Sequence, residues 1–89
     1  MWVEQREYVA VGRALAEARE RAGLTQQELA RRLRKPQSFV SSYERGQRRV
    51  DILELLRIVD VLASDPIEVV REIVRRAKLP TRRKRSTVW

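Results

Sequence analysis

The chain has 89 residues, enough for one small domain, and it contains neither cysteine nor histidine. Their absence excludes disulfides and thiolate metal sites and removes the commonest general base, so we expect neither an enzyme nor a bound metal or other cofactor. The formal net charge of +8 favours a polyanionic partner, and no stretch resembles a membrane span or a signal peptide, so the sequence predicts a cytoplasmic protein without a membrane role.

Helical periodicity governs the apolar residues along the chain, and it predicts five α-helices and no β-strand. The first helix is predicted over roughly residues 8–22, because its apolar residues recur every three or four positions on one face. Gly23 then stands where a left-handed C-terminal cap is expected. The second helix opens at Thr25 and Glu28, which have the spacing of a capping box, and it continues to about residue 33.

The third helix is predicted to begin at Pro36, a residue that suits the first helical position, and to end near residue 45 with Gly46 as its cap. Only Arg34 and Lys35 separate it from the second helix, and so tight a connection predicts a helix-turn-helix over residues 25–46. Helical phase sends Phe39, Val40 and Tyr43 to the core. It leaves an outer face, able to enter a major groove, that consists of Gln37, Ser38, Ser41, Ser42 and Arg45.

Two further helices follow, and both begin with capping signals. The fourth is predicted to start at Asp51, with Glu54 three residues later, and the fifth at Asp65 followed by a proline, ending between residues 77 and 79. The predicted organisation is therefore a helix-turn-helix domain over residues 1–78, in which helices over 51–77 serve dimerisation. Residues 79–89 form a basic tail, which is either a phosphate-binding arm or a solubilising end.

Charge is distributed in blocks along the chain. Residues 31–49 carry seven basic groups and one acid, net +6, and residues 71–89 carry eight and one, net +7. Between them, residues 50–70 carry one basic group and five acids, net −4. Two basic blocks separated by an acidic one indicate a polyanion that is met at two places, with nucleic acid as the leading candidate.

Two segments carry a family resemblance. The chain reads Thr-Gln-Gln-Glu-Leu-Ala over residues 25–30 and Gln-Ser-Phe-Val-Ser-Ser-Tyr-Glu-Arg-Gly over residues 37–46. With the Leu-Glu-Leu-Leu of residues 53–56 and Leu62, these segments closely resemble the lambda-repressor-like, Cro/XRE-type helix-turn-helix proteins, over roughly residues 11–74. The resemblance implies an all-α, five-helix, lambda-repressor-like DNA-binding domain and a small transcriptional regulator that binds a specific sequence of double-stranded DNA.

The resemblance also implies roles for single residues. In that family, the Gln that begins the second helix binds a phosphate and supports the reading helix, and the matching residue is Gln26. The first residues of the reading helix touch bases, which implies Gln37 and Ser38, with Ser42 one turn further on. An Arg of the first helix often pairs with the Glu that ends the reading helix. The matching residues are Arg19 and Glu44.

The turn departs from the family pattern. Arg34 stands where the family usually has Gly or Asn with a positive φ, Lys35 where it usually has an apolar residue, and Pro36 where it usually has Ser or Thr. An Arg in the left-handed region would cost about 1 kcal/mol. Two outcomes stay open: the strain is tolerated, or the turn differs.

The predicted DNA contacts divide into base contacts and phosphate contacts. Gln37 is the leading base contact, because a bidentate Gln–adenine pair gives about 1–3 kcal/mol of discrimination. The full predicted base-reading set is Gln37, Ser38, Ser41 and Ser42. The predicted phosphate-binding set, which flanks the groove, is Gln26, Lys35, Arg45, Arg48 and Arg49.

The fourth and fifth helices have more apolar surface than one core requires. Between residues 51 and 63 a polar side chain occurs only at every third position, and the fifth helix also has a broad apolar face. We expect this surplus to pair two copies into a two-fold symmetric homodimer, with reading helices about one DNA turn apart. The predicted interface residues are Ile58, Val61, Val69 and Ile73. The alternative is that the first three helices cover both faces.

The sequence thus favours a prokaryotic or phage regulator that binds a two-fold symmetric operator: a repressor, autoregulator, antitoxin or restriction-modification controller. No small-molecule ligand is expected, because the chain leaves no room for a sensing domain. The competing hypothesis is a helical module that docks another protein through the apolar faces of helices four and five. RNA is disfavoured because no aromatic platform lies among the basic residues, and an anionic membrane because the basic block lacks an adjoining apolar face.

Overall fold

A computed structural model of the chain describes residues 5–79, which form five α-helices. These are α1 (Gln5–Arg21), α2 (Gln26–Leu33), α3 (Gln37–Glu44), α4 (Ile52–Val61) and α5 (Pro66–Ala77). Residues 5–79 contain no β-strand, and the predicted all-α, five-helix architecture is confirmed. The predicted basic tail covers residues 79–89, and all of it after Leu79 lies outside the described residues.

Side-chain caps begin three helices at the residues that the sequence indicates. The Thr25 hydroxyl accepts a hydrogen bond from the Glu28 amide at 3.0 Å, and the Glu28 carboxylate accepts one from the Thr25 amide at 2.8 Å. Asp51 and Glu54 form the same reciprocal pair at 2.8 and 3.0 Å. The Asp65 carboxylate caps α5 by accepting from the amide two residues later at 2.9 Å. Each cap satisfies backbone donors that a helix start otherwise leaves unpaired.

Two helix boundaries differ from the prediction. The first helix is already helical at Gln5, three residues before the predicted start. Pro36 has φ −67° and ψ 155°, so it lies in extended backbone just before α3 rather than in its first turn. The proline ring fixes φ at a value that suits both conformations, and ψ, which the ring leaves free, places it outside the helix.

The turn between α2 and α3 keeps a left-handed residue although no glycine is present there. Arg34 has φ 59° and ψ 43°, which is the left-handed helical region. The amide of the next residue, Lys35, donates to the Ala30 carbonyl at 3.0 Å and so closes the end of α2. Of the two outcomes left open by the sequence, the structure therefore shows that the strain, about 1 kcal/mol, is tolerated.

The core lies among all five helices: α1 packs on α3 and α5, α2 packs on α3 and α4, and α4 packs on α5. The largest side chains with almost no solvent exposure are Leu15, Leu29, Val40, Tyr43 and Ile58, which come from α1, α2, α3 and α4. Gly12 lets α1 approach the end of α3, because a Cβ atom there would lie only 2.3 Å from the Tyr43 carbonyl oxygen. This close approach fixes α3, the predicted reading helix, on the long first helix.

Two of the four predicted dimer-interface residues are wrong as surface contacts. Ile58 and Val69 are only 1% and 4% exposed, because α5 packs along α1, and α4 packs against α2 and α5. Val61 and Ile73 are partly buried against the same core. The exposed apolar side chains of these helices lie elsewhere on their surfaces. We call them the apolar face, which consists of Ile52, Leu53, Leu56, Ile67 and Val70.

Candidate nucleic-acid interface

The outer face of α3 differs in accessibility from one end to the other. Gln37 and Ser38, in the first turn, are exposed, whereas Ser41 and Ser42 are half-buried. The Ser41 hydroxyl donates to the Ser38 carbonyl over a long 3.4 Å. All four predicted base-reading side chains share one helix, but the first turn is the part that a groove would reach most readily.

A buried carboxylate at the end of α3 supports this first turn. Glu44 is 8% exposed, and its two oxygens accept hydrogen bonds from Arg19 at 2.8 Å (Nε to Oε2) and 3.1 Å (Nη2 to Oε1). Arg19 also donates to the Leu24 carbonyl at 2.8 Å, and the carboxylate hydrogen bonds raise the pKa of its guanidinium. The predicted partners Arg19 and Glu44 are therefore in bidentate contact, which joins α1 to the end of the reading helix.

The same carboxylate orients a second predicted residue. The Gln26 side-chain amide donates from Nε2 to Glu44 Oε1 at 2.8 Å. Its Oε1 then faces α3 and accepts from Gln37 Nε2 at 3.5 Å, a long contact at the limit of hydrogen bonding. Arg19, Glu44, Gln26 and Gln37 thus form a chain of polar contacts, which we call the Glu44 network. It runs from a buried ion pair to the exposed tip of α3.

Phe39 connects the reading helix to the basic groups at its two ends. Its ring is 8% exposed and packs edge-on against Tyr43, with 5.4 Å between centroids. The Lys35 ammonium lies 5.5 Å from the Phe39 ring centroid, and the Arg48 guanidinium carbon lies 4.5 Å from it. Both distances are within the range of cation–π attraction. The predicted phosphate-binding residues Lys35 and Arg48 are thereby held beside α3.

Arg48 is less free than its sequence position suggests. Its Nη1 and Nη2 each lie 3.1 Å from an oxygen of Glu54, and Nη1 also donates to the Arg49 carbonyl at 2.6 Å. The hydrogen bonds from Arg48 are the largest cause of a lowered Glu54 pKa. Because Glu54 compensates its charge, Arg48 positions the loop between α3 and α4 more than it offers an unpaired cation.

The other basic residues after α3 are more accessible. Arg45 is exposed and donates to the Gln47 side-chain oxygen at 3.2 and 3.4 Å. Arg49 is also exposed, and none of the acidic groups in residues 5–79 forms an ion pair with it. Together with Lys35, these residues place positive charge at both ends of the outer face of α3, where phosphates would flank a groove.

Sequence reasoning missed two contributors to this region. Glu54 was read only as a capping residue, yet it also pairs with Arg48, and Gln47 was assigned no role although it orients Arg45. The capping position of Glu54 next to a basic loop was a usable signal, because an N3 carboxylate points back over the residues before the helix. No comparable signal marks Gln47, whose contact depends on the path of the loop.

None of the helices in residues 5–79 could span a lipid bilayer. No cluster of three or more acidic side chains has the arrangement of a metal site within those residues.

The chain was then compared with known proteins. A helix-turn-helix family model matches residues 15–69, which is more than half of the chain. No curated protein matches significantly. Among solved structures, the clp gene regulator ClgR from Corynebacterium glutamicum is similar, with 30% identity and a TM-score of 0.74, over 86% of this chain and 80% of that chain.

Two further solved structures have higher sequence identity. An XRE-family like protein from Pseudomonas syringae pv. tomato is 40% identical, with a TM-score of 0.68, over 83% of this chain and 88% of that chain. The restriction-modification controller protein C.AhdI from Aeromonas hydrophila is 34% identical, with a TM-score of 0.68, over 73% of this chain and 94% of that chain. The likeness therefore covers most of the chain and extends beyond the helix-turn-helix segment.

Proposed function

The chain belongs to the Cro/XRE-type helix-turn-helix family, and from this membership we propose that it is a small transcriptional regulator that reads double-stranded DNA through α3. The family is one of DNA-binding regulators rather than enzymes. ClgR is described as a clp gene regulator, and C.AhdI as a restriction-modification controller protein. The absence of cysteine and histidine from the sequence is in keeping with such a role.

The observation that carries the proposal is the Glu44 network. A side chain that reads bases must be held in a defined position before DNA arrives, since ordering it on binding would cost rotamer entropy. Gln37 is exposed yet in contact with Gln26, which the buried Glu44 holds in turn. Gln26 of α2 thus links the exposed start of α3 to the ion pair that Glu44, at the end of α3, forms with Arg19 of α1. This preorganisation is what supports a base-reading role for Gln37.

We assign base reading to Gln37 and Ser38 first, and to Ser41 and Ser42 second, because the latter two are half-buried. Phosphate binding is assigned to Lys35, Arg45 and Arg49, with Gln26 and Arg48 as residues that also position their neighbours. This assignment predicts that the phosphate residues supply affinity for any duplex, while the α3 residues supply the choice of sequence.

A homodimer on a two-fold symmetric operator is the proposed assembly. The apolar face exposes five large side chains on α4 and α5, among them Leu53 at 60% and Ile67 at 61%. A second copy of the chain is the proposed occupant, because isologous pairing through one such face would place two reading helices side by side on a duplex. The action would take place in the cytoplasm of a bacterium or on DNA of a phage.

Selection of bound sequences from random duplex DNA tests this function. We expect a consensus with two inverted half-sites, and we expect Gln37→Ala to lose preference at one position in each half-site while it still binds DNA. The matched control is Gln27→Ala, an exposed glutamine on the outer surface of α2, which should keep the parental consensus. Failure of the parent chain to enrich any sequence would contradict the proposal.

The apolar face also supports a second candidate, a module that docks a different protein. Two variants, one at the apolar face and one at Gln37, distinguish the two functions. Docking requires the apolar face and not Gln37, whereas DNA reading requires Gln37. Val70→Glu is the appropriate disrupting change, because Val70 is 43% exposed while its neighbour Val69 belongs to the core. If Val70→Glu abolishes regulation in cells and Gln37→Ala does not, the adaptor function is favoured.

A further inference from the structure

A cleft of about 330 Å³ lies between the start of α1 and the loop that joins α3 to α4. It is not part of the outer face of α3, and neither the phosphate assignments above nor the family comparisons give α1 a role in it. The described residues that line it carry amide, phenol and guanidinium groups, and none of them carries a carboxylate. The lining residues are Gln5, Tyr8, Gly46, Gln47, Arg48 and Arg49.

The two walls of the cleft are in close backbone contact at Gly46. Gly46 has φ +77°, and a Cβ atom built on it would lie 2.7 Å from the Cα and Cγ2 atoms of Val9 on α1. A side chain at this position would push the loop away from the helix. The backbone of the loop after α3 is therefore packed directly on the first turns of α1, which brings the side chains of both walls to one cleft.

The charge of the cleft is positive and only partly compensated. Arg48 is paired with Glu54 and stacked on Phe39, so its charge is largely satisfied. Arg49 has no ion pair with an acidic residue in the range 5–79. Gln47 accepts from Arg45 through its oxygen, and its Nε2 group makes no hydrogen bond to any other part of residues 5–79. A ligand that fits here is an anion that accepts several hydrogen bonds.

We propose that this cleft binds a phosphodiester of the DNA backbone, with Arg49 supplying the charge and Tyr8, Gln5 and Gln47 supplying neutral donors. The inference rests on the proposed function and extends it, because it makes α1 a part of the DNA-binding surface. When the first turn of a reading helix contacts bases, its other end lies toward the edge of the groove, where phosphates line the duplex. The loop at residues 45–49 continues directly from that end.

Tyr8→Phe is the most selective test, since it removes one hydroxyl and leaves the ring in place. We expect a roughly 2- to 10-fold loss of affinity per half-site, the effect of one hydrogen bond, with the salt dependence unchanged because the group is neutral. Arg49→Ala should weaken binding and also reduce the magnitude of the slope of log K against log salt by about 0.9 per half-site, or about 1.8 for the dimer on a two-fold operator. Fluorescence anisotropy at several salt concentrations measures both quantities.

Matched controls are an exposed arginine and an exposed glutamine outside the cleft. Arg21→Ala and Gln27→Ala should leave affinity and salt slope at parental values, and circular dichroism should show all variants folded. A parent chain that binds while Tyr8→Phe and Arg49→Ala bind equally well would overturn the cleft proposal alone. A parent chain that binds no duplex would overturn the proposed function and this site with it.

Inorganic phosphate distinguishes the DNA backbone from a free anion. Titration of the free chain with inorganic phosphate should show only weak binding. In DNA the neighbouring phosphates also contact the protein, and a free phosphate ion lacks those contacts. If Tyr8→Phe reduces binding of inorganic phosphate and leaves DNA affinity unchanged, the cleft serves a free anion and the proposal is wrong.

Discussion

Glu44 shows at the scale of single residues why a charged side chain can be buried in so small a domain. Its carboxylate loses almost all hydration, and three hydrogen bonds from Arg19 and Gln26 replace the lost water. A buried ion of this kind is tolerated only while its partners remain, since an unpaired charge cannot regain solvent without opening the fold.

Removal of one partner therefore has a predictable cost. Arg19→Ala should lower the free energy of unfolding by about 3 kcal/mol, because it leaves Glu44 buried without its counter-ion. Arg71→Ala is the control, since the ion pair between Arg71 and Glu68 is exposed on both sides and such pairs contribute about 1 kcal/mol or less. Urea denaturation measures both variants. Equal losses would contradict the special weight given to the buried pair.

Residue-level prediction from the sequence succeeded where a side chain's role follows from its place in a helix. The caps at Thr25 and Asp51 and the burial of Tyr43 are of this kind. It was less successful at Arg48, because the sequence assigns this residue to a basic loop but does not show that Glu54 folds back over it. Helical periodicity predicts which side chains share a face of a helix, but it does not predict contacts that depend on the path of a loop.

At the scale of the helices, the crossing of α1 and α3 depends on one missing side chain. A Cβ atom on Gly12 would lie 2.3 and 2.5 Å from the carbonyl oxygens of Tyr43 and Glu44. Both neighbours are backbone atoms of α3, so they cannot move aside as a flexible side chain could. The two helices would have to separate, and the Arg19–Glu44 pair spans the same interface.

Gly12→Ala should destabilise the protein by about 1–3 kcal/mol through this overlap, despite the better helix propensity of alanine. Gly23→Ala is the matched control. Gly23 has φ +77° with open space around it. Alanine there should lower the free energy of unfolding only by the strain of a left-handed residue, about 1–2 kcal/mol, without moving a helix. Thermal unfolding measures the stability of both variants. A separate DNA-binding measurement on the folded variants should show weaker binding for Gly12→Ala. If only Gly23→Ala impaired binding, the proposed link between α1 and α3 would be refuted.

The same elements show which helix faces the sequence can and cannot assign. Periodicity correctly gave five helices, because each carries an apolar stripe and a start signal. It could not decide which part of the broad apolar surface of α4 and α5 the core would use. Ile58 and Val69 were expected at a dimer interface and lie in the core instead. When most of a helix is apolar, the choice of buried face is made by the partner helices.

The whole molecule has an uneven surface: an apolar face on α4 and α5, and positive charge around α3. Leu53→Glu should convert a dimer to a monomer with little loss of stability, because Leu53 is 60% exposed in the single chain. Sedimentation would then give a mass near 10.5 kDa for the variant and a larger one for the parent. A parent chain that sediments at 10.5 kDa at micromolar concentration would exclude the dimer.

The pH dependence of stability is also a property of the whole chain, because no histidine titrates near neutrality. Glu28, Glu54 and Glu72 have pKa values below their usual 4.5, through the capping hydrogen bond at Thr25, Arg48 and Arg76 respectively. A lowered folded-state pKa means that the stabilisation is complete above pH 4.5 and is lost as the pH falls through the lowered value.

The free energy of unfolding should therefore stay constant from about pH 5.5 to pH 7. It should decline as the pH falls below the ordinary glutamate pKa of 4.5. Glu54→Gln should reduce stability at neutral pH and make the acid decline shallower, since one of the three carboxylates no longer titrates. A steep change near pH 6.5 would contradict this account, because no group described above titrates there.

The Glu44 network has one more consequence, which concerns the direction of its hydrogen bonds. An ionised carboxylate can only accept, so the Gln26 amide must present its nitrogen to Glu44 and its oxygen to Gln37. Gln37 then uses one of its two amide hydrogens in that contact, and its other amide hydrogen and its oxygen make no hydrogen bond within residues 5–79. That pair of one donor and one acceptor complements adenine, whose groove edge offers an acceptor and a donor, and it is poorly matched to guanine, which offers two acceptors. On the proposed function, we therefore expect Gln37 to select adenine over guanine, through an amide orientation that Glu44 favours from the other end of α3.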